Sequence, residues 1–110
     1  MSLRLPTSLG DAGRDSSSAR HNAFEAEVLA EKAAALGRAG RQADAALAAF
    51  RACEAPAGSA KREALLDSAA ERFWAFLVQR ELCGLHDRAQ VIVDFDVPLE
   101  VVNRGGAIRR

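Results

Sequence analysis

Residues 60–83 have the sequence AKREALLDSAAERFWAFLVQRELC and predict the longest helix of the chain, which we place at its centre. The first half of this segment is amphipathic, with leucines and alanines at helical spacing. The second half contains six consecutive apolar residues, Phe73-Trp74-Ala75-Phe76-Leu77-Val78. Because such a helix is apolar nearly all round, it has to be covered on more than one side. Ser59 before the segment is a favourable N-cap, and Gly84 after it is a favourable helix end.

Two further helices are predicted before this central one, and they form an N-terminal helical hairpin. The first begins at Asn22 and ends near Arg38, and the second covers residues 41–54. Gly37 and Gly40 lie at the junction, where the freedom of glycine to adopt a left-handed conformation favours a turn. Because the connection is short, the two helices are expected to be antiparallel.

A short C-terminal helix pair is predicted after the central helix. Asp87 is the N-cap candidate of one helix, which extends to about Phe95, and Pro98 precedes a last helix over residues 99–104 that two glycines end. The β-branched residues 91–93 could instead form a short strand, although the sequence offers no evident partner strand. The predicted fold is therefore all-α, a small bundle of about five helices.

The composition is that of one small globular domain. The chain has 110 residues, 49% of them hydrophobic, and a formal net charge of zero. Residues 1–20 contain a proline, two glycines and three consecutive serines, so we predict a flexible N-terminal tail followed by a single helical domain over 21–110. Alternatively, the tail could dock on the domain as an extended, strand-like arm through Leu3, Leu5 and Leu9.

Several features predict a cytoplasmic protein with no membrane association. No segment approaches the roughly 20 apolar residues of a membrane span. The N-terminus lacks the apolar core of a secretion signal. The two cysteines, Cys53 and Cys83, match no zinc or redox spacing, and two cysteines make no disulfide framework in a chain of this size.

The titratable residues are poorly grouped for catalysis. Neither His21 nor His86 has a Cys, Asp or Glu at the spacing of a metal motif. Cys83 lies at a predicted helix C-terminus, where the helix dipole disfavours a thiolate. We therefore assign no catalytic residue, metal ligand or cofactor, and the sequence favours a protein that is not an enzyme without excluding one.

The bulky apolar cluster of the central helix predicts either a core element or an interface. Trp74 and Val78 lie on a somewhat different face from their apolar neighbours and could contact a second copy or an unidentified protein partner. The polar segment that follows, Gln79-Arg80-Glu81, could form the polar rim of that contact, or it could be a solvated face. The predicted function is a non-enzymatic protein–protein interaction module that forms a homodimer. The candidate interface residues are Phe73, Trp74, Leu77, Val78, Arg80 and Glu81.

A second hypothesis, from a different class, is a small nucleic-acid-binding regulator. Residues 87–104 have the outline of a helix-turn-helix, and the C-terminal region is weakly basic. The acidic residues Asp94 and Asp96 would repel phosphate, and the net charge of the chain lacks a basic surplus, so the sequence disfavours this alternative. Its candidate contact residues are Asn103, Arg104, Arg109 and Arg110.

Four stretches of the sequence are distinctive, at residues 3–6, 30–40, 78–85 and 97–104. The strongest is VQRELCGL at 78–85, because alanine-rich stretches such as 30–40 recur by chance. Together they resemble a family of short bacterial proteins known only as a domain of unknown function. The resemblance implies a stand-alone bacterial domain, and it implies no activity, ligand or catalytic residue.

Overall fold

A computed structural model describes the backbone of residues 4–109 and the side chains of residues 16–105. This part of the chain contains four α-helices and no strand. The helices are α1 (Arg4–Ala52), α2 (Ala60–Leu82), α3 (Arg88–Asp94) and α4 (Leu99–Arg109). The predicted all-α class is confirmed, whereas the number of helices in the described part is four rather than about five.

The predicted hairpin turn at Gly37 and Gly40 is wrong, because both glycines lie inside the uninterrupted helix α1. Asn22, expected to open a helix, also lies inside α1, which replaces α2 as the longest helix, with 49 residues against 23. A Cβ atom added at Gly40 would lie 3.2 Å from Cε1 of Phe76. Gly40 therefore allows α1 to pack closely on α2. Its cost, relative to alanine in a helix interior, is about 1 kcal/mol of helix stability.

The chain divides into two compact units, Met1–Glu31 and Lys32–Arg110. In the first unit, the backbone of residues 4–31 belongs to α1, and every described side chain, from residue 16 onward, is exposed. Residues 4–20 are thus helical in the structure, and the division of the chain into a tail and a domain at residue 20 stays a prediction. The proposed docking through Leu3, Leu5 and Leu9 concerns side chains outside the described residues.

In the second unit, the last part of α1 and helix α2 form an antiparallel pair. The Sγ atom of Cys83, at the end of α2, lies 3.9 Å from the carbonyl oxygen of Lys32. At the opposite end of the pair, the guanidinium of Arg62 lies 4.8 Å from the ring centroid of Phe50. A hairpin is therefore present, but its turn is formed by residues 53–59 rather than by the glycines within α1.

Both predicted ends of the central helix are confirmed to within one residue. At the N-terminus, the side chain of Ser59 accepts a hydrogen bond of 3.3 Å from the backbone amide of Arg62. At the C-terminus, Gly84 has a φ of 83°, and the amide of Leu85 donates to the carbonyl of Arg80 at 2.9 Å. This geometry closes the helix with a Schellman motif.

The C-terminal helix pair is present with two corrections. Residues 91–93 lie in α3, so the alternative of a strand is wrong. Helix α4 continues past the two glycines expected to end it and reaches Arg109. The physical reason is packing of α4 on the rest of the unit: Val101 and Gly105 are both buried, so tertiary contacts outweigh the weak helix propensity of the glycines.

The hydrophobic core lies within the second unit and is centred on α2. Three phenylalanine rings form its middle, with centroid distances of 6.4 Å for Phe73–Phe76, 6.1 Å for Phe73–Phe95 and 5.2 Å for Phe76–Phe95. These separations fit the tilted packing that aromatic rings prefer. The buried core residues are Ala43, Leu47, Phe50, Leu66, Ala69, Ala70, Phe73, Phe76, Leu77, Val91, Val97 and Val101.

Candidate functional site

The six predicted interface residues of α2 divide into two groups. Phe73 and Leu77 are each 3% exposed and belong to the core, so their side chains are not available to a partner at the surface. This follows from helical geometry, since both lie on the face that packs against the rest of the second unit. Trp74 and Val78 are half-buried and remain at the surface of α2. The candidate interface therefore narrows to the face that carries these two residues.

Arg80 and Glu81 are half-buried and pair with residues at the start of α3. The Nη2 atom of Arg80 donates to Oδ1 of Asp87 at 2.6 Å, and Nη2 of Arg88 donates to Oε2 of Glu81 at 2.5 Å. The bond from Arg80 holds the pKa of Asp87 below its ordinary value. Both pairs join the C-terminal end of α2 to the segment that follows it, so these two residues have a structural role within the chain.

An open apolar groove of about 440 Å³ lies beside Trp74 and Val78. Helix α2 forms most of its wall, and Gly105 of α4 lines it as well. The described residues that line the groove are Ala70, Glu71, Trp74, Ala75, Val78, Gln79 and Gly105.

The polar groups of this groove are arranged around Ala75. Glu71 precedes Ala75 by four residues and Gln79 follows it by four, so the three side chains lie along one face of α2. A carboxylate, which accepts hydrogen bonds, therefore lies one turn before a small residue, and an amide, which can donate them, lies one turn after it. This arrangement is self-complementary under a two-fold rotation.

Charged contacts hold α4 against the first turns of α2. Arg62 donates to both carboxylate oxygens of Glu100, at 2.6 and 3.1 Å, and its bond holds the pKa of Glu100 below the ordinary value. Arg104 donates to Oε2 of Glu63 at 2.7 Å and also bonds Oδ1 of Asp67. These bonds raise the pKa of Arg104.

The same contacts bear on the nucleic-acid hypothesis. Arg104 is engaged with two carboxylates, which would have to be displaced before it could bind phosphate. Asn103 is exposed on α4. The side chains of Arg109 and Arg110 lie outside the described residues. No observation on the described part of the chain favours nucleic acid as a partner, and this alternative stays a prediction.

The described residues offer little for chemistry of other kinds. Among them, no group of three or more His, Cys, Asp or Glu side chains could hold a metal ion. Cys53 and Cys83 are free, half-buried thiols. Within the same part of the chain, no helix combines the length and the apolar content needed to cross a membrane.

A family model matches the chain over residues 1–110, and it describes a family of unknown function, DUF6665. The chain belongs to this family. No curated protein and no solved structure matches it. The identification as a member of a family of unknown function is thus confirmed, while a bacterial origin and a cytoplasmic location stay predictions.

For this DUF6665 member, the sequence predicts part of the groove. The bulk and position of Trp74 and Val78 on α2 predict them as interface residues, and Gln79 belongs to the polar segment expected beside them. Glu71 and Ala75 are not among the predicted residues, although their four-residue spacing from Gln79 on one helix face is visible in the sequence. The contribution of α4 to the groove had no signal in the sequence, because it depends on how two helices pack.

Proposed function

We propose that this chain is a non-enzymatic protein–protein interaction module that forms a homodimer through the outer face of α2. The observation that carries the proposal is the open apolar groove beside Trp74 and Val78, with its polar groups arranged symmetrically around Ala75. The proposed occupant of the groove is the same face of a second copy.

A two-fold axis at Ala75 accounts for the pattern of side chains along this face. If two α2 helices pack antiparallel across such an axis, each Glu71 lies opposite Gln79 of the second copy. The two carboxylates then accept hydrogen bonds from the two amides, and both small Ala75 side chains allow the helices to approach closely. Dimer interfaces of this kind are isologous, with the same patch used on both copies.

Trp74 supplies the energetic anchor of the proposed interface. Tryptophan is enriched among residues whose truncation costs most binding energy, especially where it is surrounded by residues that exclude water. Trp74 is half-buried beside Val78, and both side chains line the groove. Contact with a second copy would bury the remaining apolar surface of both.

The proposal is tested by the oligomeric mass of the full chain and of one variant, Ala75→Arg. Ala75 is exposed, so an arginine there should leave the fold intact while placing two like charges together at the two-fold axis. Light scattering after size-exclusion chromatography should give twice the chain mass of 11.7 kDa for the natural sequence and the single mass for the variant.

The matched control is Ala45→Arg, the same change at another exposed helical alanine, on α1 and outside the groove. This control should retain the dimer mass over the same range of concentrations. A natural sequence that is monomeric throughout, or an Ala75→Arg variant that keeps the mass of the dimer, would overturn the proposal.

A further inference from the structure

A second pocket, which adjoins the groove at Trp74, lies where α2, α3 and α4 meet. Its volume is about 200 Å³. Helix α2 contributes Phe73 and Leu77, α3 contributes Ile92, and α4 contributes Val101 and Val102. These walls are apolar, and they come from three helices of the same compact unit.

The pocket has one charged residue at its edge. Among the described residues that line it, Arg88 is charged and the others are apolar. Its guanidinium lies 4.7 Å from the centroid of the Trp74 ring, and Trp74 also lines the pocket. Stacking on an aromatic face holds an arginine in place while leaving donor groups at its edges for a further acceptor.

From these features we infer that the pocket binds a small monocarboxylate with an apolar body. The apolar part would lie against Trp74, Ile92 and Val102, which are half-buried and line the pocket, and the carboxylate would accept hydrogen bonds from Arg88. The pocket shares Ala70, Trp74 and Gly105 with the groove around Ala75, whereas Arg88, Ile92 and Val102 line the pocket alone. The inference therefore rests chiefly on residues that the proposed dimer does not use.

The size of the pocket matches an apolar body somewhat larger than benzene. An engineered cavity of about 150 Å³ lined by Leu, Ile and Phe side chains stays free of water and binds benzene. The pocket here has a volume of about 200 Å³ and similar apolar walls, but it is partly open to solvent, so an apolar occupant would displace water from it. Ligand pockets commonly combine such walls with very few polar groups, which fix the orientation of the ligand.

Arg88 is suited to a carboxylate because its planar guanidinium presents several donors in a fixed geometry. One of its nitrogens, Nη2, already donates to Glu81. A guanidinium has five N–H donors, so a second carboxylate can be bound beside the first. Glu81 thus positions the arginine at the edge of the pocket and occupies one of its donors.

The test uses octanoate as the probe and octanol as its uncharged counterpart with the same chain length. Trp74 is the one tryptophan of the chain and lines the pocket, so its fluorescence reports binding. All titrations are made in the Ala75→Arg background, so that the emission does not report formation of the proposed dimer. Octanoate should shift the emission of Trp74 in a saturable manner and bind more tightly than octanol. Arg88→Gln should weaken octanoate binding by about tenfold or more, the order expected when a charge-assisted hydrogen bond is lost.

The matched control is Glu81→Gln, which breaks the same ion pair but leaves the arginine in place. If Arg88 binds the carboxylate, Glu81→Gln should bind octanoate at least as tightly as the Ala75→Arg background alone does. Octanol binding should be unchanged in both variants. An equal loss of octanoate affinity in Arg88→Gln and Glu81→Gln would mean that the ion pair only supports the fold around the pocket. The inference would be overturned by such an equal loss. It would also be overturned if octanoate and octanol bound with equal affinity, or if the emission of Trp74 showed no saturable change.

Discussion

Arg51 of α1 donates a hydrogen bond of 2.7 Å to the carbonyl oxygen of Asp96, which lies between α3 and α4. The same Nη2 atom also donates to the carbonyl of Phe95 at 2.6 Å. Asp96 has a φ of 49°, in the left-handed region that disfavours most side chains. A side chain of α1 thus stabilises a turn about 45 residues later, and this turn sets where α4 begins.

Replacement of Arg51 by methionine should lower the free energy of unfolding by about 1 kcal/mol, because two carbonyl oxygens lose a charged donor. The chemical denaturation midpoint measures the change. Arg38→Met, at an exposed position of the same helix, is the matched control and should change stability by less than about half of that. Equal effects of the two substitutions would show that the bonds to the turn contribute nothing.

Asp96→Gly should leave stability unchanged or raise it slightly, because glycine adopts positive φ without steric strain. Asp96→Val should lower the free energy of unfolding by about 1 to 2 kcal/mol, because a β-branched residue is disfavoured there. The pair is compared by thermal unfolding. A valine variant as stable as the glycine variant would contradict the role assigned to the backbone conformation at this turn.

Gly37 and Gly40 should respond differently to alanine, although both lie in α1. At Gly37 the added Cβ atom meets the flexible guanidinium of Arg41 at 3.3 Å, so the gain in helix propensity of up to about 1 kcal/mol should be retained. At Gly40 the Cβ atom meets the buried ring of Phe76, and the required shift should cancel part or all of that gain. Urea denaturation measures the change in the free energy of unfolding for both variants. A larger stabilisation by alanine at Gly40 than at Gly37 would refute the prediction.

These glycines also show why the fold was only partly predictable. The ends of α2 depend on local groups, Ser59 and Gly84, so the sequence predicts them well. A glycine within an apolar pattern is compatible with a turn or with close packing, and for Gly40 the choice depends on Phe76 in another helix. That information is long-range, and a sequence pattern over a few residues does not contain it.

The candidate site was partly predictable for a similar reason. Trp74 and Val78 stand out because they are bulky and lie off the main apolar stripe of α2. Arg88 has no such signal, since its importance comes from stacking on Trp74 after α3 has folded back along α2. Sites formed by the convergence of three helices become visible only once the packing is known.

Acid should destabilise the chain through two carboxyl groups. Arg80 lowers the pKa of Asp87, and Arg62 lowers the pKa of Glu100. Each group therefore binds its proton more weakly in the folded chain than in the unfolded chain. Their contribution to stability is present above the ordinary carboxyl pKa values of about 4, and it is lost as the pH falls through the lower values of the folded state.

Asp87→Asn and Glu100→Gln should accordingly be less stable than the natural sequence at neutral pH, and the difference should shrink toward pH 3. Denaturation midpoints at several pH values measure the two profiles. Asp44→Asn, a change at an exposed residue of α1, serves as the control and should follow the natural sequence throughout. A difference that is constant across the acidic range would exclude a titration effect at these two carboxyl groups.

Shortening a leucine side chain to alanine should have very different effects on the free energy of unfolding in the two parts of α1. Leu47 is fully buried in the core of the second unit, so Leu47→Ala should lower the free energy of unfolding by about 2 to 5 kcal/mol. Leu29, in the first unit, is 66% exposed, and Leu29→Ala should change it by less than about 0.5 kcal/mol. The two variants carry the same chemical change on one helix, so each is the control for the other in a denaturation experiment. A large loss of stability in Leu29→Ala that grows with protein concentration would instead mean that a second chain covers this part of α1.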